Sequence, residues 1–118
     1  MFPVLKYNGA KIARNIEFTR TMFSQVMGLM FRNSIPYDYS MIFILKKSSQ
    51  VSIHMLFVFF PIDVIFLNEK KKIMGLSRLR PWVGYKAMED IKYVLEMKAG
   101  TIEKFHLCAG GQMEFEDN

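Results

Sequence analysis

A mainly β fold, a single compact barrel or sandwich of the jelly-roll-like kind with one or two short helices, is what this sequence predicts. Short runs of β-branched and aromatic residues recur along the chain, separated by turn residues: Asn8-Gly9, Pro36 with Asp38, Pro61, Glu69-Lys70-Lys71 and Gly110-Gly111. At most two short segments read as helix, which argues against alternating βαβ units. The composition, 51% apolar and 14% aromatic, supplies a core and lies far from the charge-rich profile of disordered chains.

The elements follow in chain order. Asn8-Gly9 suits a type I′ turn, because both residues tolerate positive φ, so residues 2–7 and 10–16 should open the chain as a hairpin. Thr19 or Thr21 can cap a short helix through Met27, ended by Gly28 in the left-handed conformation. After the polar loop 33–40, residues 41–45 form an apolar run of strand length, ended by the polar stretch 46–50. Residues 51–57 alternate, with Val51, Ile53, Met55 and Phe57 on one face and Ser52, His54 and Leu56 on the other. Pro61 cannot donate to a ladder and should start a strand over 62–68, which Glu69-Lys70-Lys71 turns into a partner over 72–79. An irregular stretch after Pro81-Trp82, a strand over 93–97, a short helix within 99–107 and a last strand over 112–115 complete the chain, with a solvated tail.

The 118 residues are expected to form one domain, 1–118, with no linker, repeat or low-complexity tract. The lone Cys108 cannot make an internal disulfide, and residues 1–15 carry Lys6, Lys11 and Arg14 where a secretory signal would be apolar; a cytoplasmic location follows as the expectation. The most apolar window, 51–67, is shorter than the roughly 20 residues of a membrane helix and contains His54, Pro61 and Asp63, so no membrane association is expected. Ten Met residues read as core filler, and two His with one Cys are too few to suggest a metal centre; no metal or cofactor is expected. The net charge of +5 favours contact with acidic surfaces without specifying one.

Several short motifs stand in a fixed order: Gly28-Leu29-Met30-Phe31-Arg32, Met41-Ile42-Phe43, Pro61-Ile62-Asp63-Val64-Ile65-Phe66, Val94-Leu95-Glu96 with Ala99-Gly100, and a glycine turn at Gly110. Together they resemble domain-of-unknown-function family 192, over most of the chain. The resemblance implies a small, mostly β domain of jelly-roll-like form and implies no reaction. This family commonly carries Trp-Met-Lys-Asn-Thr ahead of its Pro-Leu-Asp segment, whereas His54-Met55-Leu56-Phe57-Val58 stands at that place here, and Gly110-Gly111 replaces the usual Gly-Asp. An activity resting on those polar residues is therefore not carried over.

The candidate site residues follow from chemistry. Asp63, in the middle of an apolar strand, needs a partner, and Arg32 after the first helix is the partner expected, either tying a loop to the sheet or presenting a guanidinium to a ligand. The segment 78–86, with Arg78, Arg80, Trp82, Tyr85 and Lys86, combines guanidinium forks with flat rings that suit phosphates, sugars or bases; a buried, loop-anchoring Trp82 is the plainer expectation. His54 and Asp63 would meet as an acid–base pair if their strands paired through the 57–60 connection. Cys108 with His54 or His106 matches no nucleophilic motif, and Cys108 is expected to behave as a small buried hydrophobe. Glu96 is expected half-exposed on its strand, and Lys70, Lys71 and Lys72 to be a solvated bend rather than a nucleic-acid patch. Phosphate-binding loops, dinucleotide fingerprints, zinc-spaced cysteines and Gly-flanked nucleophilic serines are absent.

The resulting expectation is a noncatalytic ligand-binding or accessory domain, with Arg32, Asp63, Arg80 and Trp82 as ligand-binding residues and a small molecule or protein as partner. Two alternatives stand beside it: an enzyme using His54 and Asp63, and a basic aromatic surface on 78–86 for nucleic acid or an acidic partner, with nucleic acid the less favoured occupant.

Overall fold

A computed structural model describes residues 4–20 and 33–117. Arg32, the Gly28–Arg32 motif and the helix expected to run to Met27 lie outside these residues. Among the described residues the order is β1 (Leu5–Tyr7), β2 (Ala10–Ala13), β3 (Asn15–Thr19), β4 (Tyr39–His54), β5 (Ile62–Leu67), β6 (Ile73–Leu79), β7 (Tyr85–Lys98), α1 (Thr101–Lys104) and β8 (Met113–Glu114). The fold is mainly β, and the strands form two sheets, β2-β1-β8 and β3-β4-β7-β5-β6, in a sandwich-like arrangement rather than a closed barrel.

The first hairpin forms as its turn residues require, with Asn8 at φ 47° and Gly9 at φ 87°. Its second arm is shorter than expected. β2 stops at Ala13, and the chain crosses at Arg14 into the larger sheet, where β3 runs parallel to β4. Both Arg14 and Asn15 donate their backbone N–H to the carbonyl of Asp38, which fixes this crossing. Thr19 ends β3, and its buried hydroxyl has no hydrogen-bond partner among the described residues.

The expected strands 41–45 and 51–57 merge into one strand of 16 residues, 39–54, and Met55 to Phe57 lie beyond its end. Lys46 to Gln50 do not interrupt it because β7, 14 residues long, continues the ladder beside it from Ser40↔Met97 to His54↔Tyr85, absorbing register shifts between Ile44 and Val51. The stretch after Trp82 is thus strand from Tyr85 onward, where an irregular segment was expected. The 62–68 and 72–79 hairpin forms as β5 and β6, with Lys71 at φ 63° in the bend.

β5 is buried at all six positions because the large sheet is apolar on both faces. One face, carrying Ile42, Ile65 and Leu95, packs on Leu5 and Met113 of the small sheet. The other carries Met41, Phe43, Val64 and Val94, and extends to Ile53, Met55 and Val58 at the far end of β4. The tail is exposed as expected but anchored: the Asp117 carboxylate accepts from the Tyr93 hydroxyl at 2.7 Å and pairs with Lys71 at 2.9 Å. Lys71 is therefore a tail anchor and not a solvated lysine. No helix among the described residues is long and apolar enough to cross a membrane.

Candidate functional site

Asp63 is fully buried on β5, and its partner is Arg78, directly opposite on β6. The guanidinium is bidentate, Nε donating to Oδ1 at 2.7 Å and an Nη donating to Oδ2 at 3.1 Å. Oδ2 also accepts the backbone N–H groups of Gly100 and Ile102, both at 3.0 Å. This carboxylate thus holds the left-handed Gly100 (φ 102°) and the first turn of α1, which is why helix begins at Thr101 and not at Ala99. Arg78 reaches on to the Glu103 carboxylate, and the two carboxylates strengthen its hold on its proton, Asp63 foremost. The same guanidinium holds the Glu103 carboxyl below its ordinary value. Every contact of Asp63 is internal, so it is a structural tie between β5, β6 and α1, made with Arg78 where Arg32 was expected.

The proposed His54–Asp63 pair does not form. His54 is exposed at the end of β4 opposite Tyr85, whereas Asp63 lies opposite Met97 near the other end of β7. The imidazole Nδ1 accepts the Leu56 backbone N–H at 3.3 Å, a local turn bond. Cys108 is exposed, contrary to expectation, with its Sγ 3.6 Å from the Tyr7 hydroxyl, and no hydrogen bond joins it to either His side chain. Among the described residues no group of three or more His, Cys, Asp or Glu converges as metal ligands would.

Glu96 was expected half-exposed and is buried, between Met41 and Val64 of the flanking strands. Burial alone pushes its carboxyl up to about 7. Alternation along β7 was read correctly; that β7 is flanked on both sides, by β4 and β5, is a tertiary fact invisible in the local pattern.

The most unusual surface lies at the far end of the β4–β7 ribbon, where two loops are tied together. The buried Met55 donates its N–H to the Gly84 carbonyl at 3.1 Å and accepts at its own carbonyl from Trp82 and Val58, each at 3.0 Å. Gly84 in turn donates to the Arg80 carbonyl at 3.0 Å, closing the 80–84 turn. A Cβ at Gly84 would lie 2.7 Å from Arg80 backbone atoms, so only glycine fits there. With Met55 and Val58 turned into the core, Leu56, Phe57 and Phe59 face outward beside Trp82, Val83 and Tyr85.

Trp82 is 47% exposed, so it is not the buried anchor of the plainer expectation. Its ring stacks on Phe59 at 5.5 Å and meets Phe57 edge-on at 5.2 Å. Val83 is 77% and Tyr85 64% exposed, and the cationic side chains of Arg80 and Lys86 stand exposed in the same segment. Phe57 (φ 62°) and Trp82 (φ 66°) both occupy the left-handed region, a strain of roughly 1–3 kcal/mol each that the ties to Met55 sustain. Sequence reasoning found Arg80, Trp82, Tyr85 and Lys86 but missed Leu56, Phe57 and Phe59, assigned to a strand and its connection.

Comparison with known proteins agrees with this architecture. The family model DUF192, described as an uncharacterised ACR, matches residues 4–115. A UPF0127 protein of Pyrococcus furiosus is 34% identical over 109 residues, covering 91% of each chain. Another UPF0127 protein, from Thermococcus sibiricus, is 31% identical over 113 residues, covering 94% of this chain and 72% of its own. Among solved structures, a Novosphingobium aromaticivorans protein of unknown function superposes with a TM-score of 0.84 at 24% identity, covering 95% of this chain and 83% of its own. A protein described as a putative transcription regulator from Sinorhizobium meliloti gives 0.85 at 21% identity, covering 98% and 94%. At those identities the two structures speak to the fold alone.

Proposed function

The chain belongs to the uncharacterised DUF192 family, and from that premise we propose that it is a noncatalytic interaction domain whose recognition surface is the platform of Leu56, Phe57, Phe59, Trp82, Val83 and Tyr85. The observation that carries the reading is that the Trp82 ring packs against Phe57 and Phe59 across two mutually bonded loops, while their chain neighbours Leu56, Val83 and Tyr85 are exposed as well. Soluble proteins rarely leave such a contiguous patch uncovered without a use for it. Its content, a Trp and a Tyr flanked by Arg80, is that of the residues that dominate binding energy at protein interfaces. The aliphatic Leu56 and Val83 suit an apolar side chain of a protein partner better than a run of bases.

The partner is a protein segment that seats an apolar anchor against Trp82 and carries acidic groups toward Arg80 and Lys86. A cytoplasmic setting, where the exposed Cys108 thiol stays reduced, goes with this reading. Selection of random peptides by display on the wild-type protein, with counter-selection on Trp82→Ala, tests it. Acidic peptides with a central apolar residue should emerge and lose about 30-fold in affinity on Trp82→Ala. Recovery of no peptide sensitive to that substitution would contradict it. Single-stranded oligonucleotides binding with a steep salt dependence, and peptides not binding, would put nucleic acid in the partner's place.

A further inference from the structure

A second surface, independent of the aromatic platform, lies near the other end of β4. Here the end of β2, the turn before β4 and the end of α1 enclose an open cleft of about 190 Å³. Lys11 and Arg14 reach it from the β2 arm, Tyr37 and Asp38 from the turn, Lys104 and Phe105 from the helix. The Lys104 ammonium lies 4.4 Å from the centre of the Tyr37 ring, and that of Lys98 lies 4.9 Å from the same ring.

Charge in the cleft is unbalanced. Three of the residues that line it are cationic against one that carries a carboxylate, and that carboxylate is already engaged: Asp38 accepts the Arg14 backbone N–H at 3.0 Å and the Asn15 amide at 3.5 Å. No carboxylate among the described residues pairs with Lys11, Arg14 or Lys104. Cations held around a concavity without counterions raise the local concentration of anions. Three separate donors, one of them a guanidinium fork, match an anion with three or more acceptor oxygens better than a carboxylate with two. We propose that this cleft is a binding site for a small phosphate monoester, its phosphoryl oxygens shared among Lys11, Arg14 and Lys104.

The test titrates the full chain with inorganic phosphate and with phenyl phosphate at constant ionic strength, following backbone amide resonances by NMR, with acetate and chloride as parallel arms. Saturable shifts centred on Arg14, Asp38 and Lys104 are expected with both phosphates, and binding at least about fivefold weaker in Arg14→Gln and in Lys104→Gln. Both residues are exposed, so these variants should fold. Trp82→Ala should bind phosphate as the wild type does, which separates this site from the aromatic platform. Shifts that do not saturate, that chloride reproduces, or that persist unchanged in both variants would overturn the proposal. Acetate binding as tightly as phosphate would overturn the assignment of ligand class.

Discussion

Replacing Glu96 with Gln should flatten the dependence of stability on pH between about pH 5 and pH 8. Glu96 is 6% exposed and has no ion pair or hydrogen bond among the described residues, and burial moves its carboxyl from 4.5 to about 7. The folded protein therefore holds the Glu96 proton more tightly than the unfolded chain does. That preference stabilises the fold fully below pH about 4.5 and is lost as pH rises through about 7. At about 1.36 kcal/mol for each pH unit between those values, the whole contribution is about 3 kcal/mol, of which about 2.5 kcal/mol disappears between pH 5 and pH 8. Gln cannot titrate, while all other ionisable groups are common to both proteins. Urea unfolding followed by far-ultraviolet circular dichroism at pH 5, 6, 7 and 8 should therefore show the wild type losing about 2.5 kcal/mol relative to Glu96→Gln. Parallel stability curves for the two proteins would mean that Glu96 is solvated or paired.

Three further outcomes are expected. Asp63→Asn removes the charge that holds Arg78 and the N–H groups of Gly100 and Ile102, and should cost about 2–4 kcal/mol in urea unfolding at pH 7; an unchanged midpoint would contradict the tie. Gly84→Ala forces a Cβ against the Arg80 backbone and should cost about 1–3 kcal/mol while shifting the emission of Trp82, the only tryptophan, whose loop it distorts. Trp82→Ala should lower stability by only about 1 kcal/mol, since the residue is half-exposed and its packing is confined to the loop aromatics; a loss of several kcal/mol would make it a core anchor after all.

The sequence made the β class and most turns legible, because Asn8-Gly9, Pro61 and the lysine bend act locally. It did not reveal that 39–54 is one strand, since the polar Lys46 to Gln50 are kept in the ladder by a partner more than 40 residues away. Asp63 was recognised as needing a cation, and the β5–β6 hairpin was recognised too, but a hairpin centred on Lys70 places Asp63 opposite Ser77. The register shift between Phe66 and Leu67 moves the pairing by one residue and brings Arg78 opposite instead. Of the aromatic platform, Trp82 and Tyr85 were legible, with Arg80 and Lys86 beside them. The rest was not, because the left-handed Phe57 and the hydrogen bonds of Met55 turn an apolar run outward, and no local pattern encodes that.

In the proposed function, the loops around Trp82 are the surface that a partner occupies. Amide chemical-shift mapping of the ¹⁵N-labelled protein with a display-selected acidic peptide, alongside the emission of Trp82, tests this. Perturbations confined to residues 54–60 and 80–86, with a blue-shifted Trp82, are the expected result. Perturbations elsewhere with Trp82 emission unchanged would contradict it.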